Sequence, residues 1–173
     1  MRSASTLTFR LALTAVIALS SRSFAQGIIA NGGTLNGISC DAQEGQRLHI
    51  HQHLVILDHG KPVNIPPNVG QPLGKRCIYW LHTHTPDGFI HIEAPLTRSF
   101  TLGDFFTVWG QTLTRKEVAG AHVAKKELET VWVDGKLFAG DPRTIPLSAH
   151  ADIVIQVGPP YAKPAAFTAW GNL

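Results

Sequence analysis

Methionine is almost absent from this sequence of 173 residues, in which Met1 is the only one. This scarcity argues against a Met-rich carrier of Cu(I) and against a blue-copper site with an axial methionine. The sequence also lacks runs of Lys and Arg interleaved with aromatic residues. We therefore expect no nucleic-acid partner.

Cysteine is scarce as well, and only Cys40 and Cys77 are present. In an oxidising compartment an even pair indicates a disulfide first. Closing that loop would stabilise the fold by about 4 kcal/mol in the chain-entropy model. A thiolate ligand to a metal is the alternative, but we predict the disulfide Cys40–Cys77.

The apolar run from Leu11 to Leu19 is too short to span a bilayer. It follows two arginines and precedes Ser23-Phe24-Ala25, which is the arrangement of a secretory signal peptide. We predict that residues 1–25 are that peptide and that the protein is periplasmic or secreted. An uncleaved membrane anchor is the alternative. After cleavage we expect no membrane partner.

The net charge depends on this cleavage. The full sequence carries 15 basic against 12 acidic side chains, and loss of Arg2, Arg10 and Arg22 leaves 12 of each. The basic character therefore belongs to the leader. Residues 26–173 are enough for one domain with its own core.

The alternation of apolar and polar residues predicts an α+β fold that is predominantly β. We expect a single domain of antiparallel hairpins with one short amphipathic helix. The predicted elements are hairpins over 48–65, 77–94 and 128–138, a helix over 101–110 and a last strand over 153–157. Residues 26–36 are expected to form a loose lead-in, and the tail from Tyr161 is expected to be extended. The segment 111–127 carries a helix-start pattern that Gly120 interrupts.

The helix prediction depends on its two ends. Thr101 and Asp104 form a capping-box-like start, and Gly110 is a natural stop. Between them apolar residues recur at helical spacing, and we expect the aromatic ones, Phe105 and Phe106 among them, to lie in the core.

Six of the nine histidines lie in two short segments with the character of strands. His49, His51 and His53 follow one another at two-residue spacing, so they share one face of a strand. The other three flank a Thr-Pro-Asp-Gly turn at residues 85–88. The remaining histidines are isolated, and we interpret them as surface or structural residues: His59, His122 and His150.

The hairpin around this turn can pair in two registers. A three-residue loop places His82 opposite Ile92, whereas a four-residue loop places it opposite His91. We choose the four-residue loop because it gathers Leu81, Ile90 and Ile92 on one face and the histidines on the other. Opposed residues then have Cβ atoms about 4.5–5.5 Å apart.

This polar face predicts a metal site whose ligands are His82, His84, His91 and Glu93. Imidazole nitrogens with one carboxylate suit Zn²⁺, Cu²⁺ or Fe²⁺ better than Mg²⁺ or Ca²⁺. A hydrogen-bonded network, or a set of exposed histidines without metal, is the alternative.

Two further groups belong to this prediction. Trp80 and Phe89 are expected to form the walls of the pocket. His49, His51 and His53 complete the same site if the two hairpins are adjacent; otherwise they form a second metal-binding strip.

Three motifs stand close together in the middle of the chain. Residues 81–84 read Leu-His-Thr-His, residues 87–93 read Asp-Gly-Phe-Ile-His-Ile-Glu, and residues 100–110 begin Phe-Thr-Leu-Gly-Asp-Phe-Phe and end Trp-Gly. In these motifs the chain resembles an uncharacterised family of exported prokaryotic proteins. The resemblance covers roughly residues 47 to 113 and implies that this stretch is one unit of an exported protein. It implies no particular activity.

We expect an exported metal-binding protein that is non-catalytic and acts in storage, sensing or delivery of a transition metal ion. The expected partner is a metal or another small ligand. One alternative is a mononuclear metalloenzyme, hydrolytic or oxidative, in which Glu93 is a ligand or a general base. Another is a structural or interaction domain whose histidines are incidental.

Overall fold

The computed structural model describes residues 32–173, so the predicted signal peptide lies outside the described residues. The elements of this range, in chain order, are β1 (Thr34–Leu35), β2 (Ile38–Asp41), β3 (Leu48–Asp58), β4 (Lys61–Pro62), β5 (Ile78–Tyr79), β6 (Leu81–His82), β7 (Phe89–Ala94), α1 (Leu102–Trp109), β8 (Glu117–Val118), β9 (Ala121–His122), β10 (Glu129–Val133), β11 (Lys136–Leu137), a 3-10 turn (Pro142–Thr144) and β12 (Asp152–Val157).

Seven strands form the main sheet, in the order β11-β10-β12-β3-β7-β6, with β4 paired to the far end of β3. The predominantly β fold and its antiparallel hairpins are confirmed. The sheet is nevertheless mixed, because β12 runs parallel to β3 between residues 152–157 and 53–58. The long stretch of chain between the two strands permits this crossover, which a hairpin cannot make.

The first and the last of the predicted hairpins form, although the first is shorter than predicted. The last one turns at Asp134 and Gly135, which both have positive φ (49° and 70°), as a two-residue hairpin loop requires. The first returns only as Lys61–Pro62. Pro66 and Pro67 follow soon after, and a proline has no N–H to extend the ladder.

The first strand of the hairpin predicted over residues 77–94 is divided at Trp80. Its first part, β5, pairs with β2 in a separate sheet of three strands, and its second part, β6, pairs with β7. A disulfide joins Cys40 and Cys77, whose Cα atoms lie 5.2 Å apart, and holds β5 on β2. The predicted disulfide is therefore present, and neither cysteine is a thiolate ligand.

The helix is confirmed from its cap to its stop. The Thr101 side chain accepts from the Asp104 backbone, the Asp104 carboxylate accepts from the Thr101 backbone, and Gly110 ends the helix at φ 72°. Phe105 and Phe106 are buried, as expected. No helix among residues 32–173 has both the length and the apolar character needed to cross a membrane.

The core lies on the side of the sheet that Leu81, Ile90 and Ile92 face. These three side chains have no exposed surface, and they belong to the same buried cluster as the aromatic residues of α1. The helix also packs against β6. The core therefore supports the histidine-bearing strands from behind.

Three other segments differ from expectation or extend it. The described part of the lead-in is ordered, because Thr34–Leu35 pairs with β2. The segment 111–127 contains the small hairpin of β8 and β9. The tail from Tyr161 has no regular structure, as predicted, and it lies along the sheet, where Phe167 and Trp170 contact His53.

Candidate metal centre

The two histidine-rich segments lie side by side in the main sheet. Strand β7 stands between β3 and β6, so that His91 faces His51 on one side and His82 on the other. Two residues further along each strand, His49 faces Glu93. Alternation along each strand places all these side chains on the face opposite the core.

The register of the second hairpin is the predicted one. His82 pairs with His91, and the Glu93 N–H donates to the carbonyl of Trp80 (2.8 Å). Asp87 holds the turn, because its carboxylate accepts from the Thr85 hydroxyl (2.7 Å) and from the Phe89 N–H (3.2 Å). Asp87 therefore has a turn role, and the histidines remain free for the site.

His82 is the most firmly oriented member. Its side chain is fully buried, and its Nδ1 lies 2.9 Å from the carbonyl oxygen of Tyr79. A carbonyl can only accept, so Nδ1 carries the proton and Nε2 keeps a free lone pair. That nitrogen lies 3.2 Å from Nε2 of His84. Histidines that bind metals are commonly held in this way by a hydrogen bond at the other ring nitrogen.

A second pair of ring nitrogens meets on β3. Nε2 of His49 lies 3.1 Å from Nε2 of His51 and 3.1 Å from a carboxylate oxygen of Glu93. The segments 49–51 and 82–84 thus repeat one pattern, in which a His-x-His sequence brings its two Nε2 atoms together.

His91 and Glu93 belong to both groups. Ligand atoms within each group lie no more than 4.8 Å apart, and the two groups are His49, His51, His91 and Glu93, and His82, His84, His91 and Glu93. Nδ1 of His91 is buried and has no hydrogen-bond partner among residues 32–173, and the nearest carboxylate oxygen of Glu93 is 3.7 Å away. Such an unsatisfied atom is costly unless something binds it. Both groups of side chains could therefore hold a metal ion.

Burial keeps the inner imidazoles neutral. It lowers the pKa of His82 to about 4, with a smaller contribution from neighbouring histidines. It lowers the pKa of His91 to about 3, and nearby His84 and His51 act in the same direction. Neutral imidazole is the form that binds metal.

The carboxylate of the cluster is perturbed in the opposite direction. Burial, followed by a hydrogen bond and charge repulsion from Glu44, raises the pKa of Glu93 to about 7. A cation between these groups would relieve the repulsion, since opposite charge favours the ionised form.

Glu44 is a member that the strand pattern does not reveal. One of its carboxylate oxygens lies 3.8 Å from Nε2 of His82 and 3.6 Å from Nε2 of His84. It stands in the loop before β3, where no alternation applies. Gly45 brings that loop onto β7, because its N–H donates to the Glu93 carbonyl (3.2 Å) and a side chain there would collide with the Ala94 backbone. Gly45 is the only feature of the sequence that could have indicated the position of Glu44.

His53 stands apart from both groups. Its Nδ1 donates to the Asp152 carboxylate (3.0 Å), and its ring stacks on Phe167 with centroids 3.7 Å apart. Phe167 therefore covers one face of the His53 ring, and Asp152 binds one of its two nitrogens. Of the predicted strip on β3, the structure brings only His49 and His51 to the cluster.

The two expected wall residues have other neighbours. Trp80 packs edge-on against Phe100, and its indole N–H donates to Asp41 (2.6 Å). Phe89 is on the histidine face and contacts Phe167 and Trp170 of the tail. Phe89 therefore borders the cluster on the side of the tail, and Trp80 belongs to the core.

No protein-family model matches this chain, and neither a curated protein nor a solved structure matches it. The resemblance of residues 47–113 to exported prokaryotic proteins therefore stays a prediction. Among residues 32–173, imidazole nitrogens and carboxylate oxygens converge at this centre, and the two cysteine sulfurs are held in the disulfide.

Proposed function

We propose that this chain is an exported protein that binds a transition metal ion and acts without catalysis in storage, sensing or delivery. The observation that carries this proposal is the convergence of ligand atoms around His91. Four of them lie within 4.8 Å of one another in each of two groups. Zn²⁺, Cu²⁺ and Fe²⁺ all accept this combination of nitrogen and oxygen donors.

The fixed orientation of the His82 ring in the absence of a metal supports the proposal. The Tyr79 carbonyl fixes the ring of His82, so that its lone pair faces the cluster before any ion arrives. The unpartnered Nδ1 of His91 offers another donor that a purely structural role leaves unexplained. Export is supported by the leader pattern at residues 1–25 and by the disulfide, which persists in oxidising compartments.

Metal analysis tests the proposal directly. The protein, purified by ion exchange, is stripped with a chelator and reconstituted with Zn²⁺, Cu²⁺ or Fe²⁺. We expect at least one ion per chain, and a His91→Gln variant should bind at least about tenfold more weakly, since even the loss of a group that only supports a ligand typically costs that much. The matched control is His122→Gln, because His122 is exposed and belongs to neither group.

The outcomes separate the competing functions. Less than about 0.1 ion per chain after reconstitution would exclude metal binding and leave the structural or interaction domain. Equal loss of binding in the two variants would show that the centre is not where we place it.

One observation favours a mononuclear metalloenzyme as the second candidate. His84 and Glu44 lie at the outer edge of the cluster, with side chains 43% and 45% exposed, so an ion there has solvent beside it. An open coordination position is the mark of a catalytic zinc site. Azide added to the Co²⁺-loaded protein should change the visible spectrum if that position exists. An unchanged spectrum indicates a closed shell and supports the non-catalytic role.

A further inference from the structure

The cluster contains more donors than one ion can use. A tetrahedral ion takes four ligands. The converging groups number seven, and they are His49, His51, His82, His84, His91, Glu44 and Glu93. We infer that the centre holds two ions side by side, an inference that rests on the proposed function and specifies its stoichiometry.

The first position belongs to β3. Two nitrogens bound to one tetrahedral Zn²⁺ at 2.0–2.1 Å lie about 3.3 Å apart. Nε2 of His49 and Nε2 of His51 are 3.1 Å apart, and the Glu93 carboxylate is 3.1 Å from the former. Both distances from Nε2 of His49 are therefore close to the donor spacing of a single coordination shell, and His51 and Glu93 lie within 4.8 Å of each other.

The second position belongs to β6 and the loop before β3. Nε2 of His82 and Nε2 of His84 are 3.2 Å apart, again close to the edge of a tetrahedron. The carboxylate of Glu44 lies 3.8 Å and 3.6 Å from these nitrogens. This position therefore has its own pair of imidazoles and its own carboxylate.

His91 and Glu93 separate the two positions. The ring of His91 is in edge contact with His51 on one side, at 4.6 Å between centroids, and with His84 on the other, at 4.5 Å. A single ion at either position would leave the opposite His-x-His pair without a role. The negative charge of Glu93 between the positions would reduce the repulsion between two cations.

Stoichiometry distinguishes this inference from the proposed function. Zn²⁺ titrated into the metal-free chain, followed by calorimetry and elemental analysis, should give two ions per chain, the second bound at least about tenfold more weakly because like charges repel. One ion per chain would overturn the inference and leave the proposed function standing. No binding would overturn both.

Paired variants assign the positions. His49→Gln/His51→Gln should retain one ion through the β6 position, and His82→Gln/His84→Gln should retain one through the β3 position. His122→Gln should retain two. Complete loss of binding in either double variant, with a normal circular dichroism spectrum, would indicate one shared ion and overturn the inference.

A second measurement needs no variant, which matters because His82 is fully buried and its replacement should destabilise the fold. Cu²⁺ added to the wild-type chain should give an isolated paramagnetic resonance signal at one equivalent. At two equivalents, dipolar broadening should appear. Two signals that simply add without broadening would place the ions apart and overturn the side-by-side arrangement.

Discussion

The metal-free protein should become less stable as the pH falls from 6 to 5. His82 and His91 have lowered pKa values, about 4 and about 3, against 6.5 for an ordinary histidine. Over this interval the unfolded chain protonates both rings and the folded chain protonates neither. Stability rises with pH wherever the unfolded state binds more protons, so each ring contributes a positive slope.

Glu93 acts in the opposite direction. Its pKa is raised to about 7 from an ordinary value of 4.5, so over this interval the folded chain holds a proton that the unfolded chain has lost. Two rings against one carboxyl leave a net difference of one proton. The free energy of unfolding should therefore fall by about 1.4 kcal/mol when the pH is lowered by one unit. Burial lowers the pKa of His51 and raises the pKa of Glu129. Their contributions to the pH dependence of the unfolding free energy therefore have opposite signs.

Urea unfolding of the metal-free chain at pH 5 and pH 6, followed by tryptophan fluorescence, measures this difference. Glu93→Gln supplies the matched variant, since it removes the opposing carboxyl and keeps its size. In this variant the change of the unfolding free energy with pH should double to about 2.7 kcal/mol per pH unit. A wild-type free energy of unfolding that is flat or rises on acidification would refute the argument, and so would an unchanged slope in the variant.

Three further predictions concern the scaffold. Replacing Cys40 and Cys77 together by Ala should lower the free energy of unfolding by about 4 kcal/mol, because the disulfide spans 37 residues; a loss under about 1 kcal/mol in urea contradicts this. Gly70→Ala should lower the melting temperature and weaken Zn²⁺ binding, because φ is +76° there and a Cβ would lie 2.5 Å from the Leu81 carbonyl and 3.0 Å from Cβ of His82; wild-type affinity would contradict the proposed support. Phe167→Ala should cost about 1–2 kcal/mol of unfolding free energy and leave Zn²⁺ stoichiometry unchanged; altered stoichiometry would show that the tail belongs to the centre.

The face of the second hairpin could be predicted because a strand has a period of two residues. Ile90 and Ile92 demand burial, and only one register also places Leu81 on their side and His91 beside His82. The same alternation brings the histidines together on the other face, and this clustering predicts a metal site. The cap and the stop of α1 could be predicted for a similar reason, since each depends on residues within one turn.

Contacts between distant parts of the chain could not be predicted in this way. Glu44 reaches the cluster through a loop, and loops have no period. The parallel pairing of β12 with β3 joins residues about 100 positions apart. The continuous apolar runs at 54–57 and 153–155 were its only sign, since parallel strands covered on both faces lose their alternation.

The position of Leu173 has a practical consequence. Its carbonyl accepts from Nε2 of His150 (2.8 Å), and the N–H of His150 donates to the carbonyl of His51 (2.7 Å). Leu173 is thus linked through His150 to β3, the strand that carries two of the proposed ligands. A polyhistidine tag fused after Leu173 would start beside the centre and compete with it for the ion. A tag at that end would report its own affinity, so occupancy has to be measured on protein that carries none.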